Sequence, residues 1–208
     1  MKENQDYIRD IAEIRSMMER SSKFLSLSGW AGIMAGIYAL AGAYIAYSIF
    51  NFNLYESGYN SVETGTLPSG IPNLIFLAVL VLVLAIGTAV FLSVKKAKRR
   101  GEVVWNAASR RLLADMAVPL TSGGILILVL ISKGLIGLIP SLTLLFYGLA
   151  LYNASKITYN EVKFLGMIQV ALGLISSFFT EYGLLFWAFG FGVLHIIYGI
   201  YIHFRYER

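Results

Sequence analysis

The side chains able to do chemistry are few. His195 and His203 are the only imidazoles, and the chain has no cysteine, which excludes thiolate nucleophiles, disulfides and Cys-based metal sites. The two histidines stand eight residues apart on one apolar stretch, and side chains on a single helix cannot clamp an iron from opposite faces. A zinc site takes three or four ligands, yet no HExxH motif or acidic cluster accompanies the pair, so neither metal nor cofactor is expected. Intramembrane serine chemistry fails as well: Ser176 and Ser177 lack a glycine-flanked nucleophile motif. Paired-carboxylate chemistry is disfavoured because no Asp or Glu falls within an apolar stretch. The expectation is a protein that is not an enzyme.

What remains is a polar cluster of Gln169, Ser176, His195 and Tyr198. Gly166, Gln169, Gly173, Ser176 and Thr180 recur at steps of three or four and so share one helical stripe. His195 is flanked by Gly192 at i−3 and Gly199 at i+4. A turn near Glu181 and Tyr182 brings Gln169 level with His195 and Gly173 level with Gly190, so the two stripes are expected to face each other. There a neutral imidazole bonded to Gln169 or Ser176 would knit two helices together. The alternative is a ligand contact or a proton-responsive switch.

The elements that must position these residues are membrane spans. The composition is 57% hydrophobic and 14% charged, against about 45–50% and about 25% in soluble domains. A span takes about 20 mostly apolar residues, and six stretches qualify: 30–50, 72–94, 116–132, 135–153, 164–180 and 183–203. The third and fourth are separated by a turn expected at Lys133 and Gly134; a turn at Pro140 would leave the fourth too short to cross. The fold expected is all-α: a polytopic bundle of six transmembrane helices arranged as three hairpins, in a domain covering 30–203.

Charge placement gives the orientation. Sixteen of the 17 lysines and arginines fall before the first span, between the second and third, between the fourth and fifth, or after the sixth. Lys133 alone lies on the other side. Both termini, the tail at 204–208 included, are therefore expected in the cytoplasm. Residues 51–71 carry acids, glycines and no basic residue, and read as an external loop. A cleaved signal peptide is not expected, because 29 polar and amphipathic residues precede a first stretch long enough to stay as an anchor.

Packing cues differ between spans. Gly29, Gly32, Gly36, Ala39, Ala43 and Ala46 form a ridge of small residues that lets another helix approach closely. Leu74 to Ile86 is large and apolar throughout and is expected to face lipid. Aromatic residues including Trp30, Tyr44, Tyr47, Tyr152 and Tyr182 gather near the span ends as interfacial anchors.

Two cytoplasmic features could meet partners. In the basic loop, 95–115, Lys95, Lys96, Lys98, Arg99 and Arg100 with Trp105 suit either a topogenic charge cluster or contact with anionic lipid head groups. Nucleic acid is not expected, because no reading motif is present. In the segment 1–29, Tyr7, Ile11, Ile14 and Met18 draw a heptad seam on an amphipathic helix whose other face mixes charges. That helix either packs under the bundle or docks a cytoplasmic protein partner or a second copy of the chain.

The run from Tyr147 through Lys156, the segment Glu161 to Gly166, the segment Gly190 to Gly199, and the approach Leu25 to Gly29 resemble an uncharacterised family of small polytopic bacterial inner-membrane proteins. The resemblance implies a bacterial inner-membrane location and brings no mechanism. The functional expectation is a non-enzymatic adaptor or sensor-like membrane protein that contacts a cytoplasmic partner through its N-terminal helix and basic loop. The alternative is a small-solute channel or carrier with a polar site around Gln169, His195 and Tyr198.

Overall fold

The computed structural model describes residues 28–49, 70–99, 101 and 105–207. The seam residues Tyr7, Ile11, Ile14 and Met18, Arg100 of the basic run, and nearly all of the 51–71 loop lie outside them. The described residues form six helices and no strand: α1 (Gly29–Ser48), α2 (Ile71–Arg99), α3 (Ala107–Ser132), α4 (Ile136–Ala154), α5 (Asn160–Phe178) and α6 (Thr180–Tyr206). Each is long and apolar enough to cross a membrane, so the chain is a polytopic membrane protein, all-helical among the described residues, as its composition implies.

The turn between α3 and α4 falls at Lys133 and Gly134. Gly134 takes φ +71°, which a side chain rarely adopts. Pro140 sits in the first turn after the opening 3-10 stretch of α4, where its missing N–H leaves no bond unmade. Several boundaries differ from the sequence expectation because helices outrun the apolar stretch: α2 continues to Arg99 and α6 covers Thr180–Tyr206. α3 starts nine residues earlier than expected, at Ala107, where Asn106 and Ser109 form a reciprocal cap: each side chain accepts the other's backbone N–H at 2.9 Å. α5 starts at Asn160, which brings Glu161 into its first turn and into the bundle.

Pro119 lies inside α3 and deprives the Asp115 carbonyl of its N–H partner one turn on. Asn153 of α4 fills the gap, its Nδ2 donating to that carbonyl at 3.4 Å.

Glycine decides which helices touch. A Cβ placed on Gly36 would lie 2.6 Å from the Gly192 carbonyl oxygen, and one on Gly29 2.5 Å from that of Gly199, so α1 and the second half of α6 meet backbone to backbone. α4 and α5 do the same: a Cβ on Gly148 would lie 2.7 Å from the Gly166 carbonyl oxygen. The small ridge of α1 is thus the face buried against α6. α2 packs on α1 through Val81 at Gly42 and a Tyr38–Thr88 hydroxyl pair at 3.2 Å. None of its most apolar 18 residues is buried, in keeping with a helix that faces lipid.

Two apolar clusters mark the ends. Ala108, Leu112, Leu151, Ile157, Val162 and Ile202 meet at the end that carries the basic loop, called here the basic end. Ile71 and Ile136, with Ile139 and Leu184 against them, meet at the Lys133 end.

A buried polar centre and a carboxylate latch

The polar centre is built where α6 changes its winding. Residues Ala188–Leu194 form a π-helical stretch, whose wider turn leaves carbonyl oxygens aimed away from the usual i+4 donors. The Gly190 carbonyl is one of them. It receives Gln169 Nε2 from α5 at 2.7 Å and His195 Nδ1 from its own helix at 2.9 Å. Gly190 leaves room for this, since a Cβ there would lie 2.7 Å from Gln169 Oε1 and 2.5 Å from a Leu144 methyl.

These bonds determine the imidazole's state. A carbonyl oxygen can only accept, so His195 Nδ1 carries the hydrogen. In the neutral ring Nε2 is then an acceptor, and the Tyr147 hydroxyl of α4 donates to it at 3.0 Å. Both ring nitrogens are thereby occupied by groups of the protein itself. Phe191 stacks on the His195 ring at 5.8 Å and Tyr147 lies at 5.5 Å, sealing the imidazole between aromatic faces.

The arrangement corrects the expected pairing of stripes. Gln169 and His195 are brought together, but through the Gly190 carbonyl they share and not through a bond to each other. Ser176 turns the opposite way, to Ser141 of α4, with the two hydroxyl oxygens 2.8 Å apart. Gly173 packs on Leu145 and Ser141 and not on Gly190. The physical reason is that α4 carries its own small face, Ser141 and Gly148, which takes the α5 stripe. The α6 glycines 192 and 199 are taken by α1 and Leu40. Gln169, long enough to reach past the crossing, is the stripe residue that turns to α6. Tyr198 joins none of these bonds, and its hydroxyl is buried without a partner.

A second constellation lies at the basic end. Glu207, one residue past α6, directs Oε1 to the backbone N–H of Gly29 at 3.0 Å and to Lys96 Nζ at 2.9 Å, and Oε2 to His203 Nδ1 at 2.8 Å. Gly29 is the first residue of α1, and the neighbouring Ser28 side chain makes no cap bond, so this carboxylate supplies the cap and meets the positive end of the helix dipole. Burial alone would raise the Glu207 pKa; the bonds from His203, Lys96 and Gly29 outweigh it and hold the carboxyl at about 2.

Lys96 of the basic run is thereby turned inward onto Glu207, its side chain only 12% exposed. Lys98 and Arg99 are exposed at the end of α2, and Trp105 is exposed beside the loop. Sequence reading passed over Glu207 and Tyr147 as partners. His203 and Glu207 do stand at i and i+4, a spacing that could have flagged the pair. The reach of Lys96 and Gly29 to the same carboxylate has no local signal. Among the described residues no group of three or more His, Asp or Glu side chains could hold a metal ion. No protein-family model, curated protein or solved structure matches the chain.

Proposed function

We propose that the chain is a non-enzymatic adaptor or sensor-like protein of a bacterial inner membrane. In this reading both termini and the basic loop are cytoplasmic, and the N-terminal helix, with the basic loop beside it, contacts a cytoplasmic partner. The observation that carries the reading is the Glu207 latch. One carboxylate ties the first residue of α1, the last turn of α2 and the end of α6. The segment that bears Tyr7, Ile11, Ile14 and Met18, the basic loop and the tail thus all leave the bundle from one fixed point.

The polar centre supports the same reading by its economy. The Gly190 carbonyl takes both Gln169 Nε2 and His195 Nδ1, Tyr147 of α4 meets the other ring nitrogen, and Ser141 pairs with Ser176, bonds across α4, α5 and α6 that do the work of helix association in a bilayer. The test is affinity purification from native membranes in mild detergent, wild type against Ile11→Asp/Ile14→Asp/Met18→Asp, read by native mass spectrometry. A stoichiometric protein held by the wild type and lost from a folded triple variant is the expected result; binding that ignores the substitutions refutes the reading.

A small-solute carrier is the second reading, favoured by two bare acceptors beside the centre, Gln169 Oε1 and the Tyr198 hydroxyl. Flux in reconstituted vesicles that falls on His195→Ala would support it. Unchanged flux removes this site.

A further inference from the structure

The two helices of the last hairpin are each locked to a helix other than its hairpin mate. A Cβ on Gly173 of α5 would lie 2.7 Å from the Ser141 carbonyl oxygen of α4, and one on Gly192 of α6 would lie 2.4 Å from a Leu40 methyl of α1. Such crossings hold α5 against α4 and the second half of α6 against α1. Gln169 spans the gap between the hairpin mates at the Gly190 carbonyl, and from that bond to the turn they pack only lightly on one another. An apolar groove of about 560 Å³ opens there, lined by Leu172 of α5, Phe179 and Tyr182 of the turn, and Leu185, Phe186 and Phe189 of α6.

The groove is continuous with the surface that meets the bilayer. On α5 its wall runs on into Leu174, Ile175 and Phe178, all exposed and apolar on a helix long enough to cross a membrane. Water would find almost no hydrogen-bond partner in such a lining, so its natural filling is hydrocarbon. Size decides which kind. From Leu172 to Phe179 the groove runs about 10 Å along α5, and a helix about 10–12 Å across would displace about 800–1,100 Å³ over that length. The groove is well short of that, which suits an extended chain and not a helix. At the mouth Glu181 is exposed beside Tyr182. Tyrosine is at home at head-group depth, and the carboxylate there complements a cationic group and opposes an anionic one.

We propose that this groove seats one phospholipid with an amine head group, an acyl chain lying between α5 and α6 and the ammonium beside Glu181. The chain fills the gap that the separate attachments of α5 and α6 leave open, and so joins the two mates of the hairpin at the Lys133 end.

The test is native mass spectrometry of the full-length protein in detergent, titrated with phosphatidylethanolamine or with phosphatidylglycerol of the same acyl chains. One phosphatidylethanolamine per chain is expected to stay bound at activation energies that strip the rest, with a preference of about threefold over phosphatidylglycerol, the size an exposed charge supports. Leu172→Trp and Leu185→Trp plug the groove from its two walls and should each lose that lipid, whereas Val83→Trp on the exposed face of α2 should keep it. Glu181→Gln should keep the lipid and lose the preference. A lipid that survives both plugs, graded binding with no single retained molecule, or equal retention of the two head groups by the wild type overturns the proposal. So does a dimer that the plugs dissolve, which would give the groove to a second copy of the chain. Should Leu172→Trp fail to fold, Leu185→Trp decides it, since Leu185 is 67% exposed and a larger ring there meets no core.

Discussion

At the scale of single residues, Glu207 joins the most elements through the fewest atoms. Its folded pKa of about 2 lies below the ordinary carboxylate value of 4.5, so the unfolded chain takes up the proton first as pH falls. The latch therefore stabilises fully above the ordinary value and is lost progressively between there and about pH 2. Glu207→Gln keeps the shape and removes the charge, and should cost about 1–2 kcal/mol at neutral pH. Denaturant unfolding in detergent at several pH values should show the wild-type advantage constant above about pH 5 and shrinking below it. An advantage independent of pH across that range would show that the carboxylate's charge is not what holds the three helices.

At the scale of elements, glycine position outweighs side-chain polarity in choosing neighbours. Gly36 and Gly87 make a matched pair, since both are helical. A Cβ at Gly36 meets the Gly192 carbonyl oxygen at 2.6 Å, and at Gly87 it meets nothing within 4 Å. Gly36→Ala should lower stability by about 1–3 kcal/mol through overpacking of the α1–α6 crossing. Gly87→Ala should be neutral or stabilising by up to about 1 kcal/mol through helix propensity. Melting curves of the two variants check the sign directly, and a Gly36→Ala as stable as wild type would contradict the backbone-to-backbone crossing. The ridge on α1 was legible as a stripe of small residues, but its partner was not. Periodicity finds a face without saying which other face it meets, so the α5 stripe was expected against α6 and is found against α4. The polar centre was legible in part for the same reason. Gln169, Ser176 and His195 stand out as polar residues among apolar ones, whereas nothing in the position of Tyr147 on the fourth span ties it to His195, and the carbonyl that Gln169 and His195 share is exposed by a π-helical turn that no side-chain pattern announces.

At the scale of the whole molecule, the six spans were legible because apolar length is a property of composition, and helix ends were less so because helices continue past the apolar stretches. Orientation rests on charge. With no native cysteine, single cysteines can report it. A membrane-impermeant maleimide should label Lys133→Cys in intact cells and Trp105→Cys only after permeabilisation; the reverse pattern would invert the topology. The central claim is that the bundle is a platform whose N-terminal helix docks a partner. Its most direct test is photocrosslinking in living cells from a benzophenone amino acid placed singly at Ile11, Ile14 or Met18, with the exposed Phe76 of α2 as control. The account predicts one discrete protein adduct from the three seam positions and none from Phe76. Absence of any protein adduct from all three, in cells where the substituted chain reaches the membrane, would contradict it.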